Sequence, residues 1–239
     1  MSDKKIILKT WNDQEMSKLK GQFFSIICFA SRRSGKSELI KYLYNKLDFI
    51  NEYDHCIIMS ESEDSLDFYS EFCPGNLFIK KFDAKIIEKT IQQSQILESE
   101  GKKLKFLCII DDVVGNTIKH SEWIAKLYSI GRHYNMSCIL ICQQLTLINV
   151  TVRNNSDICL IGQTKTAKEK KSIIDNFLDG IADDDEILKR GHTTRKAFYH
   201  ELLKYNTEDY NFIVLDYMNT KKNDFDSIIR VIKADIPEK

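Results

Sequence analysis

Gly35, Lys36 and Ser37 stand together in "FASRRSGKSELI", residues 29–40. A glycine lets backbone N–H groups approach an oxyanion with no Cβ in the way. A lysine beside it brings positive charge to the anion, and a serine hydroxyl is a hard-oxygen ligand suited to Mg²⁺. The chemistry is that of a loop cradling the phosphates of a nucleotide. Ser34, Gly35, Lys36, Ser37 and Glu38 are the candidate binding residues, with Lys36 reaching the β- and γ-phosphates and Ser37 the metal. The pattern G-x-x-x-x-G-K-[ST] has alanine, Ala30, at its first position. A small residue is the main need where a strand turns into a loop, and alanine serves there if its φ is negative. Arg32 and Arg33 could touch phosphate or a neighbouring subunit, or be solvated loop arginines.

A nucleotide site of this kind needs an acid at the tip of a neighbouring strand. "LCIIDD" (107–112) supplies two. Asp111 would hold Mg²⁺ through a water. Asp112 falls where many ATPases carry a glutamate that polarises the attacking water, although its side chain is one methylene shorter. "SCILICQQ" (137–144) ends in two amides, and strand alternation lets only one of Gln143 and Gln144 face the site. Such an amide could sense the γ-phosphate or orient water, or serve only as a loop entry.

These residues need elements to hold them. Apolar, β-branched runs alternate with segments of helical period, which predicts an α/β fold with a mostly parallel sheet and helices on both faces. Strands are predicted at 23–30, 55–60, 77–82 (a short edge strand), 105–112, 137–144, 157–163 and 211–218, with 225–235 a last strand or helix. Helices are predicted from Lys36 to about Leu47, over 84–103 and 121–135, and around Ile173, Ile174, Phe177 and Leu178. The acidic run 183–186 reads as a turn or helix start rather than a metal site. Residues 1–20 form an N-terminal segment, 21–218 the nucleotide-binding domain, and 219–239 a C-terminal extension on or near the core.

With 239 residues the chain suits one domain with a full core, and its formal net charge of zero leaves any basic surface to be local. It starts with no apolar leader and has no run long enough to span a membrane, so a soluble, intracellular protein without membrane insertion is expected. Five of the seven cysteines, Cys28, Cys108, Cys138, Cys142 and Cys159, lie in apolar runs. They read as buried thiols in a reducing compartment, and their spacing does not suit a zinc site.

In order along the chain, "FASRRSGKS", "LCIIDD", "IGRHYNMSCILICQQ" and "VRNNSDICLIG" resemble the viral genome-packaging ATPases of the FtsK–HerA superfamily. They are most similar to the poxvirus-type packaging ATPases of large double-stranded DNA viruses and virophages. The similarity spans roughly residues 20–220. Its more specific part is an arginine followed by a short linker and a strand ending in glutamine. The resemblance implies a RecA-like P-loop NTPase fold, with the glutamine strand between the phosphate-loop strand and the acidic strand. It also implies ATP and Mg²⁺ as cofactors and Gln143 as the sensor. Arg132 becomes a candidate finger reaching the ATP of the next subunit in a homo-oligomeric ring, with Arg153 a second candidate. Arg132 could equally cap its own helix. Further implied are translocation of double-stranded DNA, a capsid or portal-like vertex partner, and a place at the viral assembly site in the host cytoplasm and in the virion. DNA contact would come from the basic segments 102–105, 164–171 and 189–196, which could also be plain solvated faces. A small-molecule kinase and a nucleotide-binding structural protein with little turnover are the alternatives. Ala30 and Asp112 keep the second alive.

Overall fold

The computed structural model describes residues 5–73, 75–113, 118–218 and 225–234. Eight strands form one sheet: β1 (Ser25–Phe29), β2 (His55–Ser60), β3 (Leu77–Ile79), β4 (Phe106–Asp111), β5 (Met136–Cys142), β6 (Ile158–Ile161), β7 (Asn211–Asp216) and β8 (Ile229–Lys233). Their spatial order is β3-β2-β4-β5-β1-β6-β7-β8. The first six strands are mutually parallel, whereas β7 and β8 are antiparallel to their neighbours. β5 lies between β1 and β4, the placement that the resemblance implies for the glutamine strand.

Both faces of the central strands are buried, which explains why their sequences are continuously apolar. Alternate residues go to opposite layers. Ile27 and Phe29, Cys108 and Ile110, and Cys138 and Leu140 face one layer, while Ile26 and Cys28, Leu107 and Ile109, and Ile139 and Ile141 face the other. The first layer is covered by the helices Ala84–Ser99, Glu122–Ile130 and Arg195–Asn206, and the second by Lys36–Lys46 and Glu63–Ser70. All seven cysteines are buried and free. No helix among the described residues is long and apolar enough to cross a membrane.

Four local expectations change. The predicted 121–135 helix ends at Ile130, and Gly131–Tyr134 tightens into a 3₁₀ turn that Asn135 closes in the left-handed region, at φ 55°. The helix around Ile173 is regular only over Ala167–Ile173 and widens to a π turn over Ile174–Leu178. The 77–82 edge strand is paired only over Leu77–Ile79. The 225–235 segment is helix and strand in turn: Phe225–Ile228 makes one helical turn, and β8 follows. Residues 219–224 and 235–239 lie outside the described residues. The run 183–186 begins a helix, with Asp183 capping it through the Glu186 N–H.

Residues ahead of β1 pack onto the far edge of the sheet. The Trp11 N–H donates to the Val231 carbonyl at 2.8 Å, and the Asn206 amide accepts from the Leu8 N–H and donates to the Ile6 carbonyl. The Arg230–Glu15 ion pair closes over them at 2.9 Å.

Candidate functional site

Parallel strands of an α/β sheet present their carboxyl ends to one rim, and ligands gather there. Phe29, Asp111, Cys142 and Ile161 end β1, β4, β5 and β6 at that rim. The phosphate loop leaves β1 through Ala30, whose N–H donates to the Cys142 carbonyl, and Ser31, whose N–H donates to the Gln163 carbonyl. Ala30 is fully buried and is not among the residues with positive φ. Its methyl is accommodated because Gly162 stands opposite: a Cβ on Gly162 would lie 2.8 Å from that of Ala30 and 2.5 Å from Phe212 Cε1. The glycine missing from the loop is thus matched by one at the end of β6.

Gly35, at φ 83°, caps the Lys36–Lys46 helix without any side-chain hydrogen bond to the first turn. The opening N–H groups, among them those of Ser37 and Glu38, therefore receive no side-chain cap from Gly35 and point at the loop with the positive end of the helix dipole. Ser34 Oγ and Lys36 Nζ both donate to the Ser31 carbonyl, at 2.7 and 2.9 Å. Lys36 is buried, so its ammonium is held inside the loop where a phosphate would replace that carbonyl.

Asp111 is buried, and one of its oxygens accepts from Ser37 Oγ at 3.0 Å and from Tyr69 Oη at 2.8 Å. Burial pushes its carboxyl above the ordinary range, and the bonds from Tyr69 and Ser37 oppose that. Burial, with the neighbouring carboxylate, holds the Tyr69 phenol well above its usual range, so it remains a donor. A hydroxyl and a carboxylate at this spacing fit Mg²⁺, which takes few protein ligands and completes its shell with phosphate oxygens and water. Among the described residues no group of three or more His, Cys, Asp or Glu side chains could hold a metal alone. Bound between Ser37 and Asp111, Mg²⁺ would neutralise charge on the β- and γ-phosphates.

Asp112 turns out of β4 in the left-handed region, at φ 49°, and accepts from Gln143 Nε2 at 2.7 Å. Lys36, Asp111, Asp112 and Gln143 line one cavity of about 110 Å³. A carboxylate and an amide so placed can orient a water for in-line attack on a terminal phosphate. Gln144, also on that cavity, is exposed and leads into the Leu145–Leu147 turn, which leaves Gln143 as the amide bonded to Asp112.

The two arginines lie elsewhere. Arg132 sits on the turn before β5, so the length of that strand, about 20 Å, separates it from Gln143. It is exposed and lines a cavity of about 260 Å³ with Tyr128, Asn155 and Asp157. Arg153 likewise precedes its strand, β6, and its guanidinium donates to the Ile148 carbonyl at 2.9 Å. Neither is built into the site of its own chain. Of the basic segments, Lys102, Lys105, Lys171, Arg190 and Arg195 pair acids of this chain. Lys165 and Lys168 are exposed and form no ion pair among the described residues, and the Lys165 N–H donates to Ser31 Oγ, which sets that segment beside the phosphate loop.

Sequence reasoning missed Tyr69 and Gly162. Tyr69 lies on a helix, Glu63–Ser70, that the sequence reading did not place. A lone glycine directly after an apolar strand was a usable sign of close backbone approach at Gly162.

Solved structures with a similar fold include the genome packaging NTPase B204 of Sulfolobus turreted icosahedral virus 2 in complex with ATP-gammaS. The TM-score is 0.57 at 16% identity, over 90% of this chain and 98% of that one. The conjugation coupling protein TcpA of pCW3 with ATPgS is similar at TM-score 0.54 and 13% identity, over 74% of this chain and 64% of that one. At such identities the likeness is one of fold. Among curated proteins, "Uncharacterized protein 075L" of Invertebrate iridescent virus 6 is 29% identical over 167 residues, which are 69% of this chain and 63% of that protein. The chain spans about three fifths of the length of the curated relatives it matches. The family described as Poxvirus A32 protein matches residues 12–176. That span takes in the phosphate loop, Asp111, Arg132, Gln143 and Arg153, and with it the chain belongs to the poxvirus A32 protein family.

Proposed function

We propose that this chain is an ATP-hydrolysing motor that translocates double-stranded DNA into a viral capsid. The observation that carries the reading is the meeting of Lys36, the Ser37–Asp111 pair and the Asp112–Gln143 pair at one rim of the sheet, in a chain of the poxvirus A32 family. Lys36 and the helix N-terminus bind the phosphates, Ser37 and Asp111 hold Mg²⁺, and Asp112 with Gln143 orients the attacking water. The B204 protein, named a genome packaging NTPase, has the same fold and was solved with ATP-gammaS. Arg132 is proposed as a finger for the site of a neighbouring subunit in a homo-oligomeric ring, because it cannot reach its own. Arg153, bonded to its own loop, is the weaker choice. DNA would contact exposed lysines such as Lys165 and Lys168 without sequence readout. The capsid or a portal-like vertex would be the docking partner, and the protein would work at the assembly site in the host cytoplasm and travel in the virion.

The test is the ATPase rate against added DNA, with particle mass measured in the same samples. The expected result is turnover stimulated by DNA in a ring-sized species and abolished by Lys36→Ala. Wild-type turnover no higher than that of Lys36→Ala would refute the reading. Turnover that requires a nucleoside acceptor would replace it with a kinase.

A further inference from the structure

The site described so far occupies one flank of β1, toward β5 and β4. The other flank holds β6 and then β7, whose antiparallel sense brings its first residue to the same rim. There the structure has a separate cavity of about 360 Å³, lined by Arg33, Ser34, Gln163, Glu208, Asp209 and Tyr210. Its size falls within the range of about 300–1,000 Å³ typical of small-molecule sites. A nucleotide whose terminal phosphate faced Gln143 and which crossed β1 would bring its other end toward this cavity.

Tyr210 is the distinctive residue. Its ring lies against the phosphate loop, with Cδ1 only 3.1 Å from where a Cβ on Gly35 would stand, and yet the residue is 57% exposed. Asp209 and Tyr210 are both left-handed, at φ 53° and 63°, in a turn closed by the Asn211 N–H on the Glu208 carbonyl at 3.0 Å. Two such residues in succession are costly without glycine, and an aromatic one is rare. Strain of this kind collects at ligand sites. Here it presents a flat aromatic face at the exit of the phosphate loop, beside one amide and two carboxylates.

We propose that this cavity is the nucleobase subsite: Tyr210 stacks on a purine ring, and Gln163, Glu208 and Asp209 take the polar edge of the base and the ribose hydroxyls. Arg33, which could by sequence touch phosphate, a neighbouring subunit or only solvent, lines this same cavity. The inference rests on the nucleotide reading of the phosphate loop, so its test separates the two.

The full-length chain is titrated calorimetrically with Mg²⁺-ATP, Mg²⁺-GTP, Mg²⁺-UTP and inorganic tripolyphosphate. Wild type is compared with Tyr210→Phe and with Tyr210→Asn, which removes the ring but suits the left-handed backbone. Wild type should bind a purine nucleotide more tightly than UTP. Tyr210→Phe should keep that affinity. Tyr210→Asn should lose about tenfold to a hundredfold for the purine nucleotide and leave tripolyphosphate binding unchanged. A melting temperature near that of wild type shows that the variant is folded. Equal loss for ATP and tripolyphosphate would overturn the subsite and make Tyr210 a prop for the loop. No loss for either, or no preference over UTP in wild type, would overturn it too. Failure of wild type to bind either ATP or tripolyphosphate would refute the nucleotide reading itself, and the subsite with it.

Discussion

Asp111 shares one carboxylate oxygen between two hydroxyls, Ser37 Oγ and Tyr69 Oη. Ser37 was legible from its place after a glycine and a lysine, and Asp111 from its place at the end of an apolar run, because both roles follow from residue type and local spacing. Tyr69 was not: it comes from the helix after β2, 42 residues away, and only packing brings it over the acid. Tyr69 holds the Asp111 carboxylate in place through that oxygen. Tyr69→Phe should cost about 1–3 kcal/mol of stability, the range for removing one partner of a buried polar group. It should also weaken Mg²⁺-nucleotide binding more than binding of nucleotide without metal. Urea denaturation and paired titrations with and without Mg²⁺ measure the two effects, and equal weakening in both titrations would assign Tyr69 to packing alone.

At the scale of elements, most strands were visible because a strand buried on both faces must be apolar at every position. The helix over Lys36–Lys46 was visible from its period and its glycine start. Boundaries were less so. The helix before β5 ends at Ile130, whose φ of −133° leaves the helical range, and the chain tightens into the Gly131–Tyr134 turn. The turn that follows is held from distant segments, by Ser94 Oγ donating to the Tyr134 carbonyl and the Phe106 N–H donating to the Asn135 carbonyl. The junction of β1, β6 and β7 shows the same dependence. Ala30, Gly162 and Phe212 share one space, and a methyl gained by the loop is balanced by one absent from β6. Gly162→Ala should therefore overpack the junction and cost about 1–3 kcal/mol. Adding Ala30→Gly should recover only part of this loss, because Phe212 stays 2.5 Å from the new Cβ. Thermal or urea unfolding of the two single variants and the double variant gives the coupling. Additive losses would rule out the shared space.

For the whole molecule, the decisive fact is that Arg132 and Lys36 belong to opposite ends of the sheet. β5 begins just after Arg132 and ends beside the loop that holds Lys36. A role for Arg132 in hydrolysis then needs a second copy. Arg132→Ala should leave ATP affinity of the isolated chain unchanged and lower turnover of the assembled protein by about 10³-fold or more. Mixed with wild type, the variant should depress activity more steeply than dilution does, and a strictly proportional fall would exclude a finger acting between subunits. The sequence by itself determined the α/β class, the phosphate loop, the acid at the strand end and the glutamine strand. Each is written in local spacing and in the periodicity of one element, and such patterns survive without knowledge of neighbours. Tertiary structure alone decided that Gly162 makes room for Ala30, that Tyr69 holds Asp111, that Tyr210 lies on Gly35, and that Arg132 faces away from its own site. These are contacts between segments far apart in the chain, set by strand order and by close packing, and no local pattern encodes them.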